Sequence, residues 1–431
     1  MADPIAVAEV RLWGATVGAV AETGAGRIVF EYADEFRRTG LAISPLNLPL
    51  SRRGPVAFDE LRRKVAFNGL PGVLADALPD SFGNAVIRAY FAARGDPDRA
   101  LSPVQRLLYV GERALSALTF HPATPLVTRP AELEPLEIAA LVRDARRIID
   151  GEAGITIPEI YRIGSSAGGM RAKAIVLYNA ELREIRSGFA PARPGDVPCL
   201  IKFDGVGVDA AEGGFGRPLP FNRVEAAYAR MATDAGLVMS EISVIESDGG
   251  YVHLLIRRFD LDAGARIHQH TLGGLLHVDY NDVGASSYEE YLRAILRLGM
   301  AQACVEQGFL RAVFNVVAVN QDDHVKNLSF HMRPSGEWSL TPAYDVTFAC
   351  GHGFTAAHQM RVEDKLKGIT ASDLRDLGST FGIRAPGRIV DRAESVVMNW
   401  PRYAKDAGVP ADVTSRIETA LQERRRSLRE P

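Results

Sequence analysis

The chain has 431 residues, of which 47% are apolar and 24% charged, and a formal net charge of −3. That length calls for two or three domains with ample cores, and the near-neutral balance gives no basic field that would suggest direct binding of nucleic acid. Three scattered cysteines without disulfide or metal spacing, no apolar run near the roughly 20 residues that cross a bilayer, and an opening stretch unlike a signal peptide lead us to expect a soluble cytoplasmic protein with no membrane partner.

Residues 1–125 read as a small β-rich unit. Short runs at 7–13, 16–21 and 27–32 are rich in Val, Ile and aromatics and are broken by Gly14, Gly24 and Gly26, which suits an antiparallel sheet. Residues 46–50 are a further extended stretch, Asp80 or Ser81 caps a helix over 85–93, and 114–121 is a returning strand. A Pro-rich connection, 122–135, marks a boundary. Nothing in this unit combines a nucleophile, a base and metal ligands, so a packing or docking role is expected of it.

A second unit is expected over 126–260. An amphipathic helix spans 136–149. The sequence GSSAGGMRAKA, 164–174, then enters a strand at 174–178. Its loop, with Ser166, Ala167, Gly168 and Gly169, reads equally as a hairpin turn or as a cradle whose backbone N–H groups approach phosphate oxygens. The strand 196–203 carries Lys202 near its end. A lysine in an apolar strand is costly to bury unpaired; nucleotide phosphates would serve it, and a solvated strand edge is the alternative. The helix 222–236 has Asn222 as a plausible cap and Gly236 as its stop, and carries Glu225, a candidate partner for Lys202. A hairpin over 241–256 ends in Arg257-Arg258-Phe259-Asp260, where the hinge of a two-lobed kinase would meet adenine through its backbone.

From 261 to 431 the chain is predominantly helical, with helices at 288–298, 300–306 and 310–314 and, in the tail, at 372–377, 387–398 and 411–428. The basic end Arg424-Arg425-Arg426 reads as a solvated helix end. Within this region, two strand-like segments, 327–332 and 338–341, flank a turn at 334–336. Asp322 and Asn327 stand five residues apart, the spacing at which a carboxylate accepts a hydroxyl proton while an amide oxygen holds Mg²⁺. Taken alone, such a pair of turn residues arises often by chance. Asp345 on the next connection would complete a shell of hard oxygens, and the nucleotide-site parts upstream add weight. His324 is open to two readings, a turn histidine or a group that positions the loop or the γ-phosphate.

Taken together, LPDSFG (78–83), GSSAGGMRAKA (164–174), Arg258-Phe259-Asp260, NQDDHVKNLS (320–329) and LTPAYDV (340–346) resemble, in order and spacing, the HipA family of toxin serine/threonine kinases, over nearly the whole chain. The resemblance implies an α+β, two-lobed kinase-like fold: a small β-rich N-terminal subdomain, an α/β nucleotide-binding N-lobe and an all-helical C-lobe. It implies ATP and Mg²⁺ as cofactors, with Asp322 the catalytic residue and Asn327 and Asp345 the metal ligands. Lys202, Ala167, Gly168, Gly169, Phe259 and His324 would then contact the nucleotide, and Ser166, with Ser165 its near competitor, would be the autophosphorylated serine. An aminoacyl-tRNA synthetase as substrate, a helix-turn-helix antitoxin as partner, and DNA reached only through that antitoxin are implied in the same way. Arg257 departs from the family's Glu, so side-chain contacts at the hinge do not carry over. A small-molecule kinase and a catalytically silent binding partner or co-repressor are the alternatives.

Overall fold

Alternating burial along Val7–Leu12 (β1) makes it a strand with one wet face, and it pairs antiparallel with Ala15–Glu22 (β2). The next strands, Ile28–Tyr32 (β3) and Leu118–His121 (β4), complete a sheet of order β3-β2-β1-β4. Gly18 is required there: a Cβ would stand 2.0 Å from the Glu31 carbonyl oxygen of the paired strand. The computed structural model describes residues 6–96, 98–124, 135–149, 172–206 and 218–429. The chain divides into two compact units, one comprising 1–43, 48–222 and 241–268, the other 44–47, 223–240 and 269–431.

The first unit also holds a five-stranded antiparallel sheet of order β6-β5-β7-β9-β8. Its strands are Lys173–Asn179 (β5), Glu184–Ser187 (β6), Asp196–Lys202 (β7), Ile242–Ser247 (β8) and Tyr251–Arg257 (β9). The helices Ser81–Ala92 and Ile138–Ile149 contribute Phe82, Val86, Ile87, Leu141, Ala145 and Ile148 to a core shared with Val176, Cys199, Ile201 and Leu255 of the strands. Asp80 caps the first of these helices, accepting from Gly83 N at 2.7 Å, as one of the two expected caps. Trp13 is tied to the same unit by Nε1 donating to the Arg266 carbonyl oxygen at 2.7 Å.

The second unit is built around the helix Gln302–Val317, whose Val305, Phe309, Ala312, Val313, Phe314 and Val316 are fully buried. It runs unbroken through Gly308, where two separate helices were expected. The helix Tyr288–Arg297 crosses it there, so closely that a Cβ on Gly308 would lie 2.6 Å from Ile295 Cδ1. The expected strands pair as a hairpin, Ser329–Met332 with Trp338–Leu340. Tail helices follow at Ala371–Thr380, Pro386–Val397, Trp400–Asp406 and Ala411–Arg429. Trp400 is buried, donates from Nε1 to the Thr414 carbonyl oxygen at 3.0 Å, and packs edge-on against Tyr228.

Three local expectations fail. Residues 46–50 hold turn residues and one isolated bridge residue, Leu48, and no strand. Asn222 does not cap its helix, Phe221–Ala235; its side-chain amide donates to the carbonyl oxygens of Lys202 (3.1 Å) and Val252 (2.8 Å). Arg424 is no solvated helix end: it donates to the carbonyl oxygens of Val316 and Ile369, and burial lowers its pKa to about 10. Arg425 and Arg429 both pair with the buried Glu394.

Candidate functional site

Asp322 lies just beyond the buried helix Gln302–Val317. The chain leaves that helix through Val319 at φ +55°, a left-handed conformation that is strained for a β-branched residue and typical of functional sites. Two links fix the loop that follows. Gln321 N donates to the Ala349 carbonyl oxygen at 2.8 Å, and Ala349 N donates to that of Val319 at 3.1 Å. Asn320 turns back on the helix, its backbone N bonding Asn315 O and its Nδ2 bonding Asn315 Oδ1, both at 2.9 Å.

On this support the two adjacent aspartates part. The Asp322 side chain remains 46% exposed, with His324 Nε2 3.9 Å from its Oδ1, whereas the Asp323 side chain is wholly buried. Asn327 closes the loop: its N donates to His324 O at 2.9 Å and its Nδ2 to Asp322 O at 2.8 Å. That bond fixes the amide plane and turns Oδ1 to the opposite side, as an oxygen ligand requires. Asp345, also left-handed at φ +56°, follows Tyr344, whose hydroxyl donates to the Lys326 carbonyl oxygen at 2.6 Å and stands 2.5 Å from Ser329 Oγ. Tyr344 thereby ties the neighbour of Asp345 to the neighbour of Asn327. Burial pushes the His324 imidazole below its usual pKa, and the Asp345 carboxylate pulls the other way. His324 Nδ1 is buried with no hydrogen-bond partner among the described residues.

The donor set suits Mg²⁺, which takes hard oxygens and one or two carboxylates alongside phosphate. Among the described residues no group of three or more His, Cys, Asp and Glu could hold a metal by itself; one Asn, one Asp and phosphate oxygens do not call for such a group.

In the first unit, Lys202 is 4% exposed on β7, an interior strand of the sheet, which excludes the solvated-edge alternative. It lies directly across the β5–β7 pairing from Lys173. Lys173 is equally buried and meets Asp80 at 3.3 Å, so the Asp of LPDSFG both caps a helix and pairs a lysine of the glycine-rich segment. Sequence reasoning missed that pair, because the two residues are 93 positions apart and only the fold joins them. Phe259 sits between Arg258 and Asp260, which form a bidentate pair at 2.9 and 2.6 Å. Burial would raise the Asp260 carboxyl, but the Arg258 guanidinium more than offsets it and holds the group below its ordinary range. Glu225 is buried. Ser165, Ser166, Ala167, Gly168 and Gly169 lie outside the described residues.

The HipA-like C-terminal domain family matches residues 165–419, and the HipA N-terminal domain family matches residues 8–121. No curated protein matches the chain. Among solved structures, a chain of the Shewanella oneidensis MR-1 toxin–antitoxin complex of HipA, HipB and operator DNA aligns with a TM-score of 0.67 and 18% identity, covering 97% of this chain and 96% of that one. At that identity the likeness establishes the fold. A weaker likeness, TM-score 0.35 at 12% identity over 61% of this chain and 90% of the other, is to the Helicobacter pylori proinflammatory kinase CtkA, and no argument rests on it.

Proposed function

The chain belongs to the HipA family, and from that premise we propose that it is an ATP- and Mg²⁺-dependent protein serine/threonine kinase acting as a toxin. The observation that carries this reading is the division of labour in the loop 320–327: Asp322 is open to a substrate, and Asn327 is locked to the Asp322 backbone with its amide oxygen turned away. Asp322 orients the acceptor hydroxyl and takes its proton. Asn327 and Asp345 are the residues that would hold Mg²⁺, which when bound neutralises charge on the β- and γ-phosphates. Lys202 adds positive charge for the phosphates, the Phe259 segment meets adenine, and His324 steadies the loop. An aminoacyl-tRNA synthetase is the proposed substrate. The toxin–antitoxin setting of the Shewanella structure supports a helix-turn-helix antitoxin as partner, with DNA reached through it.

The test is purified protein with labelled ATP and cell lysate, with identification of the labelled band. Asp322→Asn is expected to lower transfer by about 10²–10⁴-fold, the usual worth of a positioned base, while MgATP binding stays measurable. Asp345→Asn is expected to weaken the Mg²⁺-dependent part of nucleotide binding as well. Transfer by Asp322→Asn at the wild-type rate refutes the assignment. Ser166 is the proposed autophosphorylation site: its phosphate would bring about −1.5 to −2 charges to a loop that cradles ATP phosphates, and MgATP affinity is expected to fall. Mass spectrometry that finds phosphate on Ser165 alone would sink this switch.

A further inference from the structure

Asp323 is not needed by the chemistry just proposed, yet its carboxyl accepts three hydrogen bonds. Its Oδ1 accepts from Gln359 N at 2.7 Å, and its Oδ2 accepts from the Tyr288 hydroxyl at 2.8 Å and from His358 Nδ1 at 2.9 Å. The Tyr288 hydroxyl in turn accepts from Asn315 Nδ2 at 2.9 Å, and Asn315 Oδ1 accepts from Asn320 Nδ2 at 2.9 Å. A closed chain of buried polar groups therefore leaves the loop at Asn320 and returns to it at Asp323. All five side chains, those of Asn315, Asn320, Asp323, Tyr288 and His358, are buried. The segment 349–359 clasps the same loop at both its ends, at Gln321 through Ala349 and at Asp323 through His358 and Gln359.

We propose that Asp323 is a positioning residue: its three-donor clamp with Tyr288, His358 and Gln359 sets the aim of Asp322, and the segment 349–359 is part of the catalytic apparatus although none of its residues touches substrate. Asp322 is held on both sides, at Gln321 and at Asp323. A fully satisfied buried network rigidifies what it holds, and a partly satisfied one loosens it. A displacement of about 1 Å at a reacting group costs on the order of 10²-fold in rate.

The inference rests on the phosphotransfer reading, so the experiment carries a readout that does not. Truncating Asp323 itself would leave buried donors unpaired and risks unfolding; Tyr288→Phe, His358→Leu and His358→Asn are gentler. Tyr288→Phe and His358→Leu are expected to lower kcat on the order of 10²-fold while KM for ATP stays within about two-fold. His358→Asn, whose amide can donate where Nδ1 does, should restore most of the rate. In an Asp322→Asn background, Tyr288→Phe should add no further loss. Hydrogen exchange at the Gln321 and Gln359 amides should quicken in the two impaired variants. Unchanged exchange, a rise in KM with kcat retained, or equal losses in His358→Asn and His358→Leu would overturn the clamp. A wild-type protein that transfers no phosphate overturns the phosphotransfer reading instead, and the exchange rates then decide the clamp by themselves.

Discussion

His253 lies buried in the five-stranded sheet, where its Nδ1 accepts from Asp204 N at 3.1 Å and its Nε2 stands 2.9 Å from Ser247 Oγ. Nδ1 is thus an acceptor, and a proton placed there would confront a backbone N–H. Burial lowers the pKa to about 4, against about 6.5 in an unfolded chain. Above the unfolded value both states are neutral and the contribution to stability is whole. As pH falls from about 6.5 towards 4 the unfolded chain takes up a proton that the fold refuses, and about 3 kcal/mol is lost. Urea unfolding at pH 7.5 and pH 5 should show about 2 kcal/mol of this loss in the wild type and less of it in His253→Gln. Asp323 and Asp322 teach the same lesson at adjacent positions: environment, not residue type, separates a buried anchor from an exposed carboxylate.

Helices and strands set those environments, and Gly308 is the clearest case. The helices Gln302–Val317 and Tyr288–Arg297 approach so closely there that Ile295 Cδ1 and Leu292 Cδ2 would stand 2.6 and 2.9 Å from an added Cβ. Gly308→Val should destabilise the protein by about 1–3 kcal/mol through overpacking, read as a lower midpoint of thermal unfolding. The position explains why two helices were expected: glycine reads as a breaker in a sequence, and only the crossing neighbour reveals why it is tolerated. The strands β1 to β3, the hairpin after Asn327 and most helices were legible from periodicity to within a few residues. The helix Trp400–Asp406 was not, since Pro401 in its first turn resembles a break, and neither was Glu184–Ser187, four residues too few to show a period. At the candidate site, Asp322, Asn327 and Asp345 were singled out in the sequence by their spacing. Asp323, Tyr288 and His358 were not, because their partnership depends on segments 35 residues away on either side.

For the molecule as a whole, the N-terminal and C-terminal HipA families account for residues 8–121 and 165–419, and no described helix is long and apolar enough to cross a membrane. If the proposed activity is that of a toxin, expression of the wild-type chain should slow growth, and Asp322→Gln should relieve it at equal protein level. Normal growth with soluble protein that phosphorylates a substrate would count against the toxin role while leaving the kinase chemistry standing. The three tryptophans also make the molecule its own optical gauge. Trp13 sits in the first unit, Trp338 on the hairpin and Trp400 in the core of the second unit against Tyr228, whose hydroxyl holds the Ala318 carbonyl oxygen at 2.9 Å. With Trp13 and Trp338 replaced by Phe, the remaining emission would come from a single indole in the core that supports the loop 320–327. Its red shift during denaturation would time the loss of that core without any label.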